Sequence, residues 1–434
     1  MIKRLIQWKL AWHSRRILAK YRPTIVAVTG SVGKTSSRNA IAAVLSSKFR
    51  VRCPEENYNN EFGVPLTIIG AKSPGSSFLG WTRVLLKAAG LWLLPRSRRN
   101  AYPNLLVLEY GLTRPGDIAH LCDLARPDVG VLTTITPVHV EAFGTIDKLI
   151  EEKGEIVKAV AVDGLVVMNG DDANVATTMG MRAQDRHGNA TPIVTYGFGE
   201  SCDVRAENYR VETNPVSIAF DLVMGEERVP VVLNDLLGRG QAYAALSAAA
   251  VGKHFGLTIN EIAEGLERFH PQAGRMRPIR GIKQTLILDD SYNAAPASMA
   301  AALEVLRCFE VPESSRRIAV LGRMGELGRY SVDEHRLLGL RTAEVADLLV
   351  CVGEEARDIR RGAIEAGMDE NAIQYFLNST EAGRWLDFNV KSGDVVLVKG
   401  SQSARMEKVV KDLMTEPLRA SELLVRQYGK WLKE

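Results

Sequence analysis

The chain has 434 residues, 46% of them hydrophobic, which exceeds what one core usually holds and predicts two or three domains. Its 55 Lys and Arg against 51 Asp and Glu leave a net charge of +4, a balance that excludes the strongly basic surface typical of nucleic-acid binding. Five scattered cysteines (Cys53, Cys122, Cys202, Cys308, Cys351) contain no C-x-x-C pair, which excludes a disulfide frame or cysteine zinc site and points to reduced thiols in the cytoplasm.

The first 22 residues carry seven Lys or Arg and no acid, interleaved with Ile2, Leu5, Ile6, Trp8, Trp12, Ile17 and Leu18. This predicts a basic amphipathic helix within residues 1–24. Three readings are open: packing on the domain that follows, contact with an anionic membrane surface, or organelle targeting. Its charge density excludes a secretory signal or a spanning helix.

The apolar run Ile25 to Val28 leads into Thr29-Gly30-Ser31-Val32-Gly33-Lys34-Thr35-Ser36, and a helical pattern continues to Leu45. A strand that breaks at glycines and re-enters as a helix aims backbone N–H groups and a helix N-terminus at one point, where phosphate binds. Lys34 then serves the terminal phosphates and Thr35 a magnesium ion. Val28 stands where the longer phosphate-loop form has its first glycine, so the match is to the shorter Gly-x-x-Gly-Lys-Thr form. An ordinary glycine-rich turn is the competing reading.

Residues 76–94 form a second apolar helical stretch, interrupted by Arg83 and Lys87 and followed by the basic run 96–99. It reads as a packed helix, or as a lid or membrane-facing helix over 76–99, and is too charged to span a bilayer. Strand-like runs at Leu105 to Leu108, Val129 to Thr133 and Leu165 to Met168 alternate with helical patterns, the rhythm of a parallel sheet. From Ile193 to Leu233 short β-rich runs separated by turn residues predict an appended antiparallel sheet. An alanine-rich helix follows over 242–255. An unpatterned stretch at 271–278 marks a boundary, beyond which a new βα series places strands at 285–288, 318–321, 348–352 and 395–398. The expected fold is α/β: a phosphate-loop domain over 25–272 with an antiparallel appendage, and a Rossmann-like α/β domain over 273–434.

Glu109 ends an apolar strand, as an acid that holds Mg²⁺ beside a phosphate loop would. His139 follows the next strand, at the carboxyl edge where open α/β folds bind ligands. Both residue types at these places are also common as plain structural groups. Lys153, within Glu151-Glu152-Lys153-Gly154-Glu155, reads locally as part of a solvated helix face.

Taken in order, these segments resemble the Mur ligase family, the ATP-dependent amide-forming enzymes of cell-wall precursor synthesis. The resemblance runs from about residue 24 to about residue 415. It rests on the phosphate loop, Asn57-Tyr58-Asn59-Asn60-Glu61-Phe62-Gly63-Val64-Pro65, the strand ending at Glu109, Arg114-Pro115-Gly116-Asp117-Ile118 and Arg126-Pro127-Asp128. His139-Val140-Glu141-Ala142-Phe143-Gly144, Lys153-Gly154-Glu155-Ile156, Gly274-Arg275-Met276 and Asp289-Asp290-Ser291-Tyr292-Asn293 continue it. Leu321-Gly322, Glu326-Leu327-Gly328 and Val398-Lys399-Gly400-Ser401 complete it.

The resemblance implies that a carboxylate takes the γ-phosphate of ATP to form an acyl phosphate, from which an amine displaces phosphate. Lys34 and the loop residues Thr29 to Ser36 would hold the nucleotide, and Thr35 with Glu109 one Mg²⁺. His139 would ligate a second ion together with Lys153, carbamylated as in its relatives. Arg275, Asp290 and Asn293 would contact the nucleotide from the C-terminal domain. Asn59, Asn60, Lys399 and Ser401 would serve the substrates. Within the family the pattern is most like the branch that adds D-alanyl-D-alanine to UDP-muramoyl-tripeptide, which implies a cytoplasmic, monomeric enzyme with small-molecule substrates. Two alternatives stand beside it: a ligase acting on another acid (lipid-linked, polyglutamate or cofactor), and a nucleotide-regulated binding protein without turnover.

Several positions depart from the family pattern. Only 28 residues precede Thr29, where the family usually carries a domain for the UDP-sugar end of the substrate, which implies either that a UDP-linked substrate is not recognised or that its recognition moves elsewhere, for example to 76–99. Gln241 stands in for one adenine-framing amide, whereas Ala244 cannot replace the other. Ala295, Arg323 and the run Gln402-Ser403-Ala404-Arg405 also differ, leaving the amine less defined than the nucleotide.

Overall fold

The computed structural model of the chain describes residues 2–54, 58–95, 102–136, 143–184 and 188–432. Strands β1 (Thr24–Thr29), β2 (Val51–Arg52), β3 (Leu105–Glu109), β4 (Val129–Leu132), β5 (Leu165–Asn169), β6 (Ile193–Gly197), β7 (Val204–Thr213), β8 (Val216–Met224) and β9 (Glu227–Asn234) form one sheet in the order β2-β3-β1-β4-β5-β6-β7-β8-β9. β1, β3, β4 and β5 are apolar and buried almost throughout, because a parallel sheet carries helices on both faces. The register sets Val28 opposite Glu109 and Thr29 opposite Leu132, so the turn leaving β1 emerges between the ends of β3 and β4.

The helices of this first unit are α1 (Ile2–Tyr21), α2 (Lys34–Leu45), α3 (Gly63–Ile69), α4 (Phe78–Leu93), α5 (Asp117–Leu124), α6 (Ile146–Ala159), α7 (Arg239–His254) and α8 (Ile259–Leu266). α1 sends Leu10 and Ile17 into the same apolar cluster as Ile25, Leu106 and Leu108. α4 lies along α1: Trp12 and Trp92 meet edge to face at 5.4 Å, and Trp92 Nε1 donates to His13 Nδ1 at 2.9 Å. Lys20 Nζ donates to the Leu91 and Trp92 carbonyls at the end of α4, satisfying groups the helix leaves open.

The antiparallel expectation for 193–233 is corrected in part. β6 pairs parallel with β5, and β7 pairs parallel with β6 through Tyr196 and Val204. A helical crossing over 173–181 returns the chain in the same direction, so β6 extends the parallel sheet. Two-residue connections then force β7, β8 and β9 into antiparallel hairpins.

The chain divides into two compact units, the second comprising 209–219, 232–240 and 270–434. Within it β10 (Arg277–Arg280), β11 (Leu286–Asp290), β12 (Arg317–Gly322), β13 (Leu348–Val352), β14 (Ile373–Phe376) and β15 (Val395–Lys399) form a sheet ordered β10-β11-β15-β12-β13-β14. All pairs are parallel except β10 with β11. Helices α9 (Pro296–Arg307), α10 (Ser331–Ala343), α11 (Ala356–Glu365), α12 (Ser379–Asn389) and α13 (Glu407–Leu413) accompany it. β10 begins inside the stretch that carries no sequence pattern. It is a short edge strand in which only Ile279 is buried, too little for an alternation to be visible.

Candidate active site

The turn after β1 is built around two glycines at positive φ. Gly30 has φ +147°, and a Cβ there would lie 1.9 Å from Thr133 Oγ1; Gly33, at φ +89°, immediately precedes α2. Thr29 Oγ1 donates to Tyr110 O at 2.8 Å, and Thr133 Oγ1 donates to Val32 O at 2.7 Å. Ser31 N donates to Thr134 O at 2.6 Å, and Ser31 Oγ donates to Thr136 O at 3.0 Å. Val32 forms an isolated bridge with Thr134, which completes the pinning of the turn to the strand end of β4. Thr35 and Ser36 lie buried in the first turn of α2, whose N-terminal N–H groups lack helical acceptors. Lys34 Nζ folds back to donate to Gly30 O at 2.7 Å and Ser31 O at 3.2 Å.

Glu109 sits at the centre of a buried polar network. Its Oε2 accepts from Thr35 Oγ1 at 3.0 Å and from Arg38 Nη1 at 3.3 Å, and its Oε1 accepts from Asn59 Nδ2 at 3.1 Å. Arg38 and Glu109 are 1% and 2% exposed, so this ion pair is shielded from solvent. Arg38 also donates through Nε and Nη2 to Asn39 Oδ1. Arg38 is absent from the sequence-derived candidates. The available signal was its spacing, three residues beyond Thr35 and therefore on the same side of α2. Asn60 turns its Oδ1 to the backbone, accepting from Phe62 N and Gly63 N at the start of α3.

Lys153 does not lie on a solvated face. On α6, Leu149, Glu152, Lys153, Gly154, Ile156 and Val157 are buried. Glu152 accepts from Gly116 N at 2.7 Å and Ile118 N at 2.9 Å, closing the start of α5. Lys153 Nζ donates to Gly30 O at 2.8 Å, the carbonyl that Lys34 also reaches. Burial, then the neighbouring Lys34 charge, push its pKa well below the usual lysine value, against an opposing pull from Glu152. The local pattern misleads because Glu152 and Lys153 are each matched by groups distant in sequence. His139 lies outside the described residues. Gln241 is buried on α7 of the same unit, with Ala244 buried one turn on.

The remaining candidates belong to the second unit. Gly274 N and Ser291 N donate to the two oxygens of buried Asp289, whose pKa desolvation raises to about 6. Asp290 accepts from Met276 N at 3.1 Å and from Lys399 Nζ at 2.6 Å, and Lys399 also donates to Asn293 O at 3.0 Å. The Arg275 guanidinium stacks over the Tyr292 ring at 4.4 Å. Ser401, buried, lies 3.2 Å from Ser403 through their hydroxyls. These contacts fasten the 274–276 turn onto the end of β11.

In the first unit the groups fit a phosphorylated nucleotide with a hard divalent ion. The glycine turn leaves space only if no Cβ is present at Gly30, two lysine side chains meet at one carbonyl, and Thr35 with Glu109 offers oxygen ligands. Among the described residues no group of three or more His, Cys, Asp or Glu forms a ready metal cluster. A largely parallel sheet with a glycine turn suited to phosphate, followed by a second α/β unit, defines the class: a nucleotide-binding α/β protein.

The Mur ligase middle domain matches residues 87–252, and the Mur ligase glutamate ligase domain matches 274–402. The UDP-N-acetylmuramoyl-tripeptide–D-alanyl-D-alanine ligase of Escherichia coli is 31% identical over 410 residues, covering 93% of this chain and 78% of that protein. Its Bacillus subtilis counterpart is 26% identical over 395 residues, 91% of this chain and 76% of that one. The crystal structure of the MurF ligase from Thermotoga maritima in complex with ADP superposes with a TM-score of 0.75 at 26% identity, covering 94% of this chain and 83% of that one. The chain belongs to the Mur ligase family. It is an ATP-dependent ligase that joins a carboxylate to an amine.

Proposed function

We propose that this ligase joins D-alanyl-D-alanine to UDP-N-acetylmuramoyl-tripeptide in peptidoglycan precursor synthesis. The observation that carries the reading is the convergence of Lys34 and Lys153 on Gly30 O beside the Thr35–Glu109 pair. The similarity to the D-alanyl-D-alanine ligases over nine-tenths of the chain selects the substrates.

When bound, ATP supplies the phosphoryl group that turns the acid's carboxylate into an acyl phosphate, from which the amine displaces inorganic phosphate. The chain's own part is positioning and charge neutralisation. Loop amides from Ser31 to Lys34 and the start of α2 orient the phosphates, and Lys34 leaves Gly30 O to neutralise their terminal charge. Thr35 and Glu109 would hold one Mg²⁺, with Arg38 and Asn59 fixing the carboxylate's orientation. His139 and a carbamylated Lys153 would hold a second ion. Lys153 is suited to carbamylation: its lowered pKa disfavours the ammonium relative to the neutral amine, the form whose lone pair adds to CO₂ with release of a proton to give an anionic ligand. Arg275, Asp290 and Asn293 contact the nucleotide, while Asn59, Asn60, Lys399 and Ser401 serve the substrates. The enzyme acts as a monomer in the cytoplasm, at the membrane face.

Phosphate release is measured with ATP, UDP-N-acetylmuramoyl-tripeptide and D-alanyl-D-alanine, each omitted in turn. Release that requires all three supports the assignment, and release indifferent to the acid and amine ends it. Lys34→Ala lowers the rate by about 10²–10³-fold with an unchanged melting temperature.

A further inference from the structure

Helices α1 and α4 carry an unusual combination of exposed apolar side chains and unmixed positive charge. Of the fifteen large apolar side chains exposed among the described residues, seven lie on these two helices or on Leu94 directly after α4, so the concentration is not ordinary scatter. On α4, Leu79, Leu86 and Leu93 recur at seven-residue spacing along one line, with Phe78 and Leu94 at its ends, each at least 63% exposed. On α1, Leu5 and Trp8 share a helical row with Trp12 and Arg16, and Arg16 stacks over both Trp12 and Trp92. That row borders the seam with α4.

Neither helix contains an acid. Together they hold eight Lys and Arg in a chain whose total charge is +4, so the rest of the molecule is net acidic. The pair is also firmly held from behind. Leu10, Ile17, Val84 and Ala88 enter the core, and Lys20 and Tyr21 donate to the last carbonyls of α4. No helix among the described residues is long and apolar enough to cross a membrane. An apolar ridge beside cations, on helices too short and charged to insert across, matches the chemistry of a headgroup layer.

We propose that α1 and α4 form a docking face for an anionic lipid bilayer, with the Leu79, Leu86 and Leu93 line entering the acyl boundary and the α1 cations meeting lipid phosphates. Charge selects this occupant. A second copy of the same face would bring cation against cation, and a neutral apolar partner would leave the acid-free charge unmatched. The proposal deepens the membrane-face placement and does not depend on which acid and amine are joined.

The test uses the full chain with sedimented vesicles of phosphatidylcholine alone or with about a third phosphatidylglycerol. Partitioning at least tenfold higher on the anionic vesicles at low salt, falling severalfold at high salt, is expected. Leu79→Ser/Leu86→Ser/Leu93→Ser lowers it at least tenfold while the melting temperature stays unchanged. Lys3→Glu/Arg4→Glu/Arg15→Glu removes the preference for anionic lipid. Protein remaining in the supernatant with anionic vesicles overturns the proposal, as does equal binding to both vesicle types. A wild-type dimer that the triple serine variant converts to monomer also overturns it, because the face is then a protein interface. A Lys34→Ala protein that still binds vesicles separates this result from any failure of the ligase assignment.

Discussion

Lys153, behind the glycine turn, and Lys399, at the end of β15, are equally deep, with 1% and 2% of their surfaces exposed. Lys399 meets a carboxylate, Asp290, at 2.6 Å, and the carbonyl of Asn293. Among the described residues, Lys153 meets the carbonyl of Gly30, and its nearest charged influences include a second lysine. One burial therefore pairs a lysine with a carboxylate and joins a turn to a strand. The other disfavours the ammonium and leaves an amine available for chemistry. Depth alone says little about a buried lysine; the partner decides.

If that contrast is right, removing the two side chains has different consequences. Lys153→Ala lowers substrate-dependent phosphate release by about 10²-fold or more, and short carboxylic acids added to the assay restore part of it by supplying oxygen ligands. A fully active Lys153→Ala enzyme would refute its role. In the second unit, Asp290→Ala leaves the Lys399 ammonium buried without its counter-charge and costs about 3 kcal/mol of stability by urea unfolding. Asp290→Leu/Lys399→Met, which removes both charges, recovers most of that loss. A double variant no better than Asp290→Ala would show that the pair is not the source of the cost.

The smallest effect is a pH dependence. Lys153 has a folded-state pKa below its unfolded value, so between the two the unfolded chain binds more protons and stability rises with pH. Within that window, whose upper end is the ordinary lysine pKa near 10.4, the slope approaches about 1.4 kcal/mol per pH unit. Wild type therefore gains on Lys153→Met as pH rises, read as the difference between their unfolding curves. A constant difference would mean that Lys153 is charged in the folded protein.

The same contrast explains what was readable along the chain. The phosphate turn is contiguous: an apolar strand, two glycines, Lys34, Thr35 and a helix lie within about twenty residues, and each is required by local backbone geometry. Glu109 was readable for a similar reason, as the residue that ends an apolar run. Arg38, in contrast, looks like any exposed helix cation until β3 brings Glu109 against it from 71 positions away. Lys153 looks solvated until it is packed against a carbonyl 123 positions distant. The direction of β6 and the presence of β10 depended on which strand each found as a neighbour, and neither has enough buried residues to announce it.

α1 and α4 divide in the same way. Their composition, acid-free and rich in Trp and Leu, is a property of the sequence alone. That they lie against each other, bury Leu10 and Val84, and leave Leu79, Leu86 and Leu93 outside is a property of the tertiary structure. The amino-acid order determined every feature whose cause lies within a turn or two of backbone: the glycine turn, the helix it starts, the apolar strands and the clustering of positive charge. Folding decided the rest, because burial, and with it the charge state of a side chain, is set by groups that only long-range packing brings within hydrogen-bonding distance.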